Sequence, residues 1–110
     1  MPVKRKQIDP VTYRSQLEII DDTDTAQSDE YWILLSAATG DAAVNLPAAP
    51  ADGEEHSITA LDVTNACAVN GNGHNIRWSP ANDSASFSLI AQFDTITVRY
   101  DSTTEKWYVV

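Results

Sequence analysis

Thr95-Ile96-Thr97-Val98-Arg99-Tyr100, then Asp101-Ser102-Thr103-Thr104-Glu105, then Lys106-Trp107-Tyr108-Val109-Val110 reads as a strand, a hairpin connection and a second strand. Ile96, Val98 and Tyr100 share one face of the first run, and Thr95, Thr97 and Arg99 the other. That period of two is the mark of a strand with one face in a core. The same rhythm recurs upstream. Ser86-Phe87-Ser88-Leu89 alternates, Ile76-Arg77-Trp78 is a short strand ended by Pro80, and Cys67 and Val69 belong to another. His56-Ser57-Ile58-Thr59-Ala60-Leu61-Asp62-Val63 and Ala43-Val44-Asn45-Leu46 add two more, the latter stopped by Pro47. Tyr31-Trp32-Ile33-Leu34-Leu35-Ser36-Ala37 is apolar on both faces, which suits a central strand or one covered by a partner. Before it, Leu17 and Ile19 alternate with Gln16 and Glu18.

Turn chemistry punctuates these runs. Asn70-Gly71-Asn72-Gly73 is the strongest turn signal, because Asn and Gly tolerate the positive φ of a tight hairpin. Asp52-Gly53 is a second such dipeptide. Residues 21–29 read as a polar loop whose four aspartates lack the glycine and closing glutamate of a calcium loop. The alanines near 42–51 are interrupted by Pro47 and Pro50, so no helix is expected there. The reading is an all-β domain, a small β-sandwich or barrel of about eight short strands over residues 15–110, preceded by an extended N-terminal arm over residues 1–14. A length of 110 residues fits one domain with one modest core.

Charge divides the chain the same way. Lys4, Arg5, Lys6 and Arg14 against Asp9 give the arm a balance of +3, while Arg77, Arg99 and Lys106 against fifteen carboxylates give the rest −12. A surface that is mostly acidic repels phosphates, so nucleic acid is not the expected partner. The arm, with Pro2 and Pro10 and no apolar periodicity, is expected to be extended, uncoupled from the core and suited to an acidic protein surface. No apolar run approaches the ~18–20 residues of a membrane span, and the basic start lacks the apolar stretch of a secretory signal. A protein made in a cytoplasm and used there, or carried out inside a particle, is expected.

Chemistry-bearing patterns are sparse. The single cysteine, Cys67, lies in an apolar stretch and reads as a small buried hydrophobe. His56 and His74 sit in different segments and read as surface histidines rather than zinc ligands. Gly71-Asn72-Gly73 lacks the lysine and helix of a phosphate-binding loop. No catalytic residue, cofactor or metal is expected. Trp32, Trp78, Tyr100, Trp107 and Tyr108 fall in strands, where packing in a core or between subunits is the simpler use than stacking on sugars.

From Tyr31 onward the chain resembles a module of bacteriophage tail fibres and other phage surface appendages. The matching pieces, in order, are residues 31–37, Val44-Asn45-Leu46-Pro47-Ala48-Ala49, Ile58-Thr59-Ala60-Leu61-Asp62, Ala68-Val69-Asn70-Gly71-Asn72-Gly73, residues 88–98 and the Lys106-Trp107-Tyr108 close. The resemblance implies a β-rich, usually trimeric structural module without an active site. A tail fibre strings many modules together, whereas this chain opens on a basic arm and spans one, which points to a small capsid decoration (cement) protein. On that reading Lys4, Arg5, Lys6, Ile8 and Arg14 anchor the protein to the major capsid protein. Trp32, Leu34, Trp107 and Tyr108 hold the core and a homotrimer. A tail-associated fibre or adaptor module and a sugar-binding receptor-recognition module are the alternatives.

Overall fold

The computed structural model describes the backbone of residues 3–9 and 14–110, with side chains from Gln16 onward. The chain is all-β: twelve strands and no helix occur among the described residues. They are β1 (Val3–Asp9), β2 (Arg14–Ile20), β3 (Thr23–Thr25), β4 (Glu30–Ser36), β5 (Ala42–Asn45), β6 (Glu55–Asp62), β7 (Cys67–Asn70), β8 (Ile76–Ser79), β9 (Asn82–Ser84), β10 (Ser86–Leu89), β11 (Thr95–Asp101) and β12 (Lys106–Val109). An eight-stranded sheet of order β1-β2-β4-β6-β11-β12-β8-β9 faces a four-stranded sheet of order β10-β7-β5-β3. The slab they form is 20 Å through its short axis, the thickness of two sheets packed ~10 Å apart with one layer of side chains between.

Three coils generate this arrangement. The chain passes from the large sheet to the small one and back four times, first as β2 to β3, β4 to β5 and β6 to β7, and last through β10. β2, β4 and β6 therefore run parallel in one sheet, and β3, β5 and β7 in the other. Residues at equal positions in successive coils stack. Leu17 lies beside Ile33 and Ile33 beside Ile58, while Ile19, Leu35 and Ala60 form the next row. All six are fully buried. On the small sheet Val44 stacks on Val69 and Ala42 on Cys67, again inside. After β7 the direction reverses. β10 pairs antiparallel with β7, β11 with β6 and β12 with β11, closing the coil. β12 also pairs in parallel with β8, which puts Trp107 at the centre of the closed end, fully buried.

Several sequence expectations change in detail. Strand number exceeds eight because the polar loop after Ile20 contains β3, and β1 and the short β9 add edge strands. The arm is extended, but it is not uncoupled: β1 pairs antiparallel with β2, with Lys4 opposite Glu18 in the register. Asn70-Gly71-Asn72-Gly73 turns the chain, with Asn72 at φ 54° and Gly73 at φ 98°, yet it makes no hairpin. β7 and β8 lie in different sheets, so this turn carries the chain across the slab. Asp52-Gly53 is a turn as read, with Gly53 at φ 79°. β4 is central, between β2 and β6, the first of the two placements its two-sided apolar pattern suits.

Candidate functional site

The most concentrated polar chemistry lies under Trp107. His56 alternates with Glu55 and Ser57 on β6 and so points inward, where it is fully buried. Its Nδ1 donates to the carbonyl oxygen of Glu30 at 2.6 Å, and its Nε2 meets Glu54 Oε2 at 2.7 Å. Glu30 is equally buried and its Oε1 accepts from the Gln27 amide at 2.7 Å. The His56 ring lies 5.7 Å from Trp107, Trp107 lies 5.3 Å from Tyr100, and Tyr100 packs edge-on to His74 at 5.0 Å. His56 is thus a core residue and not the surface histidine expected. Burying a polar group is costly unless it is hydrogen-bonded, and both its nitrogens are. The His56 ring has no face to solvent; its Nδ1 ties the start of β6 to β4, and the partly buried Glu54 caps its Nε2. His74 is partly exposed and spans the carbonyls of Glu105 at 3.1 Å and Ala48 at 3.0 Å.

The coil corners carry the acidic residues. Asp21 takes a left-handed backbone, φ 53°, and accepts from Thr39 Oγ1 at 2.6 Å, the Thr39 amide at 2.9 Å and the Gly40 amide at 3.1 Å. The Thr39 hydroxyl and amide hold its carboxyl below the ordinary value of 3.8. The Thr64 amide and hydroxyl do the same for Asp62. Asp21 thereby fastens one coil corner to the next, and Asp62 closes its own corner. Cys67 is buried beside them, and desolvation pushes its thiol above the ordinary value, the state of an inert thiol. No group of three or more His, Cys, Asp or Glu able to hold a metal occurs among the described residues.

What the molecule offers outward is surface. Trp32 and Leu34 sit on the face of β4 opposite Ile33 and Leu35. Trp32 is 41 % exposed, with its indole Nε1 donating to Thr59 Oγ1 at 3.4 Å, and Thr59 Oγ1 lies 2.8 Å from Thr95 Oγ1. Leu34 is nearly covered. At the far side of the large sheet, Asp83 binds Lys106 and faces Arg77, and Arg99 pairs with Glu55 at 2.5 Å. An open cleft of about 300 Å³ is lined there by Arg77, Trp78, Pro80 and Tyr108. Trp78 is 38 % exposed and stands edge-on to Phe87 at 5.1 Å, where the two sheets part. At the opposite end, Ile90 is 83 % and Phe93 66 % exposed, on the connection between β10 and β11.

Of the residues singled out in the sequence, Trp107 belongs to the core and Leu34 is buried, while Trp32 is exposed and Tyr108 half-buried, its hydroxyl donating to Thr104 Oγ1 at 3.0 Å. Lys4, Arg5, Lys6 and Ile8 lie on β1 and Arg14 opens β2, and their side chains fall outside the described part of the chain. The exposure of Ile90 and Phe93 has no signal in the sequence, since apolar residues at those spacings also fit a strand. Comparison with known proteins finds no matching family model and no matching curated sequence.

Proposed function

We propose that the chain is a structural protein of a bacteriophage particle, a head decoration (cement) protein that assembles as a homotrimer and is held to the major capsid protein by its N-terminal arm. What carries this reading is the order and spacing of the segments from Tyr31 to Val110 that resemble those of phage appendages. Two further features support it. The polar groups are spent on fastening corners and strands rather than on an open constellation, as in a rigid spacer. The basic residues Lys4, Arg5 and Lys6 lie together on an edge strand of an otherwise acidic body. An edge strand is accessible to a partner, and opposite charge orients the encounter.

A tail-associated fibre or adaptor module rests on the same segments. The Trp78 cleft favours a third reading, sugar recognition, because an exposed indole beside Arg77 offers a stacking face next to a guanidinium. The experiment is incorporation onto undecorated particles at low and high salt. Chains lacking residues 1–8, and chains with Lys4→Glu, Arg5→Glu and Lys6→Glu, fail to bind while the body stays folded. Full incorporation of either refutes the anchor. Glycan-array binding lost in Trp78→Ala replaces the decoration reading with the third.

A further inference from the structure

The connection between β10 and β11 is built in an unusual way. Phe93 has a left-handed backbone, φ 68°, a conformation that a bulky aromatic residue rarely adopts and that costs energy to hold. Four hydrogen bonds impose it. The Phe93 amide donates to Ala60 O at 2.6 Å, the Asp94 amide to Ala91 O at 3.0 Å, the Ala91 amide to Asp94 Oδ2 at 3.1 Å and Gln92 Nε2 to Leu61 O at 3.1 Å. The result is a pinned tip that holds Phe93 and Ile90 out in water instead of folding them in. Such an arrangement opposes the hydrophobic effect twice, once in exposure and once in strain.

Beside Ile90 runs a groove of about 300 Å³ lined by Val63, Ala66, Cys67, Ser88 and Leu89. β10 is the last strand of the small sheet, and no strand covers its outer edge among the described residues. The charges nearby have one sign. Asp62, Asp94 and Asp41 lie in the segments that form this end, whereas the cations with described side chains, Arg77, Arg99 and Lys106, are all ion-paired on the large sheet.

We propose that this end is a docking surface for an extended segment of a partner chain in which basic and apolar residues alternate. The segment adds a strand to β10, its apolar side chains pack against Ile90, Phe93 and the groove, and its cations meet the aspartates. Strand addition supplies backbone hydrogen bonds, and the pockets for alternate side chains supply selectivity. The geometry of this end carries the proposal independently of the virion reading and of the arm.

The test uses an alternating lysine–valine heptapeptide, with a glutamate–valine heptapeptide as control, added to the isotope-labelled full chain. Amide shifts at Ser86–Phe93, a Kd below about 1 mM that weakens with salt, and no response to the control are expected. Ile90→Ser and Phe93→Asn each weaken binding at least about tenfold. Asn tolerates the left-handed backbone, so Phe93→Asn melts no lower than the parent protein. A Phe93→Asn protein that melts well below it assigns the ring to the fold and overturns the proposal. So do shifts confined to β2, binding unchanged in both variants, or self-association of the chain that covers the tip and ignores the peptide.

Discussion

Gly71 is the residue whose side chain the fold least tolerates. A Cβ there would sit 1.7 Å from the carbonyl oxygen of His74, inside the turn that carries the chain between sheets. The neighbouring atom is backbone, so the whole turn must open. Gly71→Ala is expected to destabilise by at least about 2–3 kcal/mol, read as a fall in the urea midpoint at unchanged slope. The corner carboxylates give a pH dependence of definite sign. Asp21 and Asp62 have folded values lowered below 3.8 by the Thr39 and Thr64 groups. The folded state therefore binds these protons less readily than the unfolded chain. Their contribution is complete above 3.8 and disappears as pH falls below it through the lowered folded values. Midpoints measured from pH 6 down to pH 2 should fall below about pH 4, and less steeply in Asp21→Asn. At this scale much was legible. Cys67 reads as buried from its apolar neighbours, and Trp107 as a packing residue. The burial of His56 is not legible, because a histidine in an alternating strand looks the same whether a buried carbonyl and carboxylate await it or water does.

Each coil is held by rows that cross strands. Ile33 stacks on the coils above and below through its row neighbours Leu17 and Ile58 and has no exposure. Ile33→Ala is expected to cost about 2–5 kcal/mol and Ile33→Val about 0.5–1.5, measured by thermal or chemical unfolding. On the small sheet, Asn70 Nδ2 donates to Asn45 Oδ1 at 3.0 Å and Asn45 Nδ2 to Thr25 Oγ1 at 3.4 Å. This short ladder repeats at the same position of all three coils. Asn45→Ala breaks both links and should cost about 1 kcal/mol, since the groups are not fully withdrawn from water. The strands themselves were legible from period two and from turn residues. Their partners were not. A run such as Ile58-Thr59-Ala60 looks identical whether it pairs with the next strand in a hairpin or with a strand one coil away. Three-residue β3 is also too short to display a period.

At the scale of the molecule, a basic edge strand is joined to an acidic body. The proposed homotrimer predicts three times the monomer mass by light scattering at micromolar concentration, and a stable monomer counts against it. Burying a tryptophan at the closed end makes that end the keystone. Trp107→Ala should lower stability by about 3–5 kcal/mol and, in a trimer assembled from folded subunits, weaken assembly with it. The all-β class, the two-part division of charge and the central place of β4 could be read from sequence. The coil could not, because it is a property of which strands meet, and that is decided by contacts far apart in the chain.

β12 lies between β11 and β8, antiparallel to one and parallel to the other. It is joined to β11 only by the exposed turn at residues 102–105. Cutting the chain in that turn would leave a slot with Tyr100 on one side and Ile76 on the other, shaped for four residues and one indole. The protein is therefore a natural two-piece kit. A short synthetic fragment carrying Lys106–Val109 should restore the larger fragment, and the change in indole fluorescence on insertion would report the reunion.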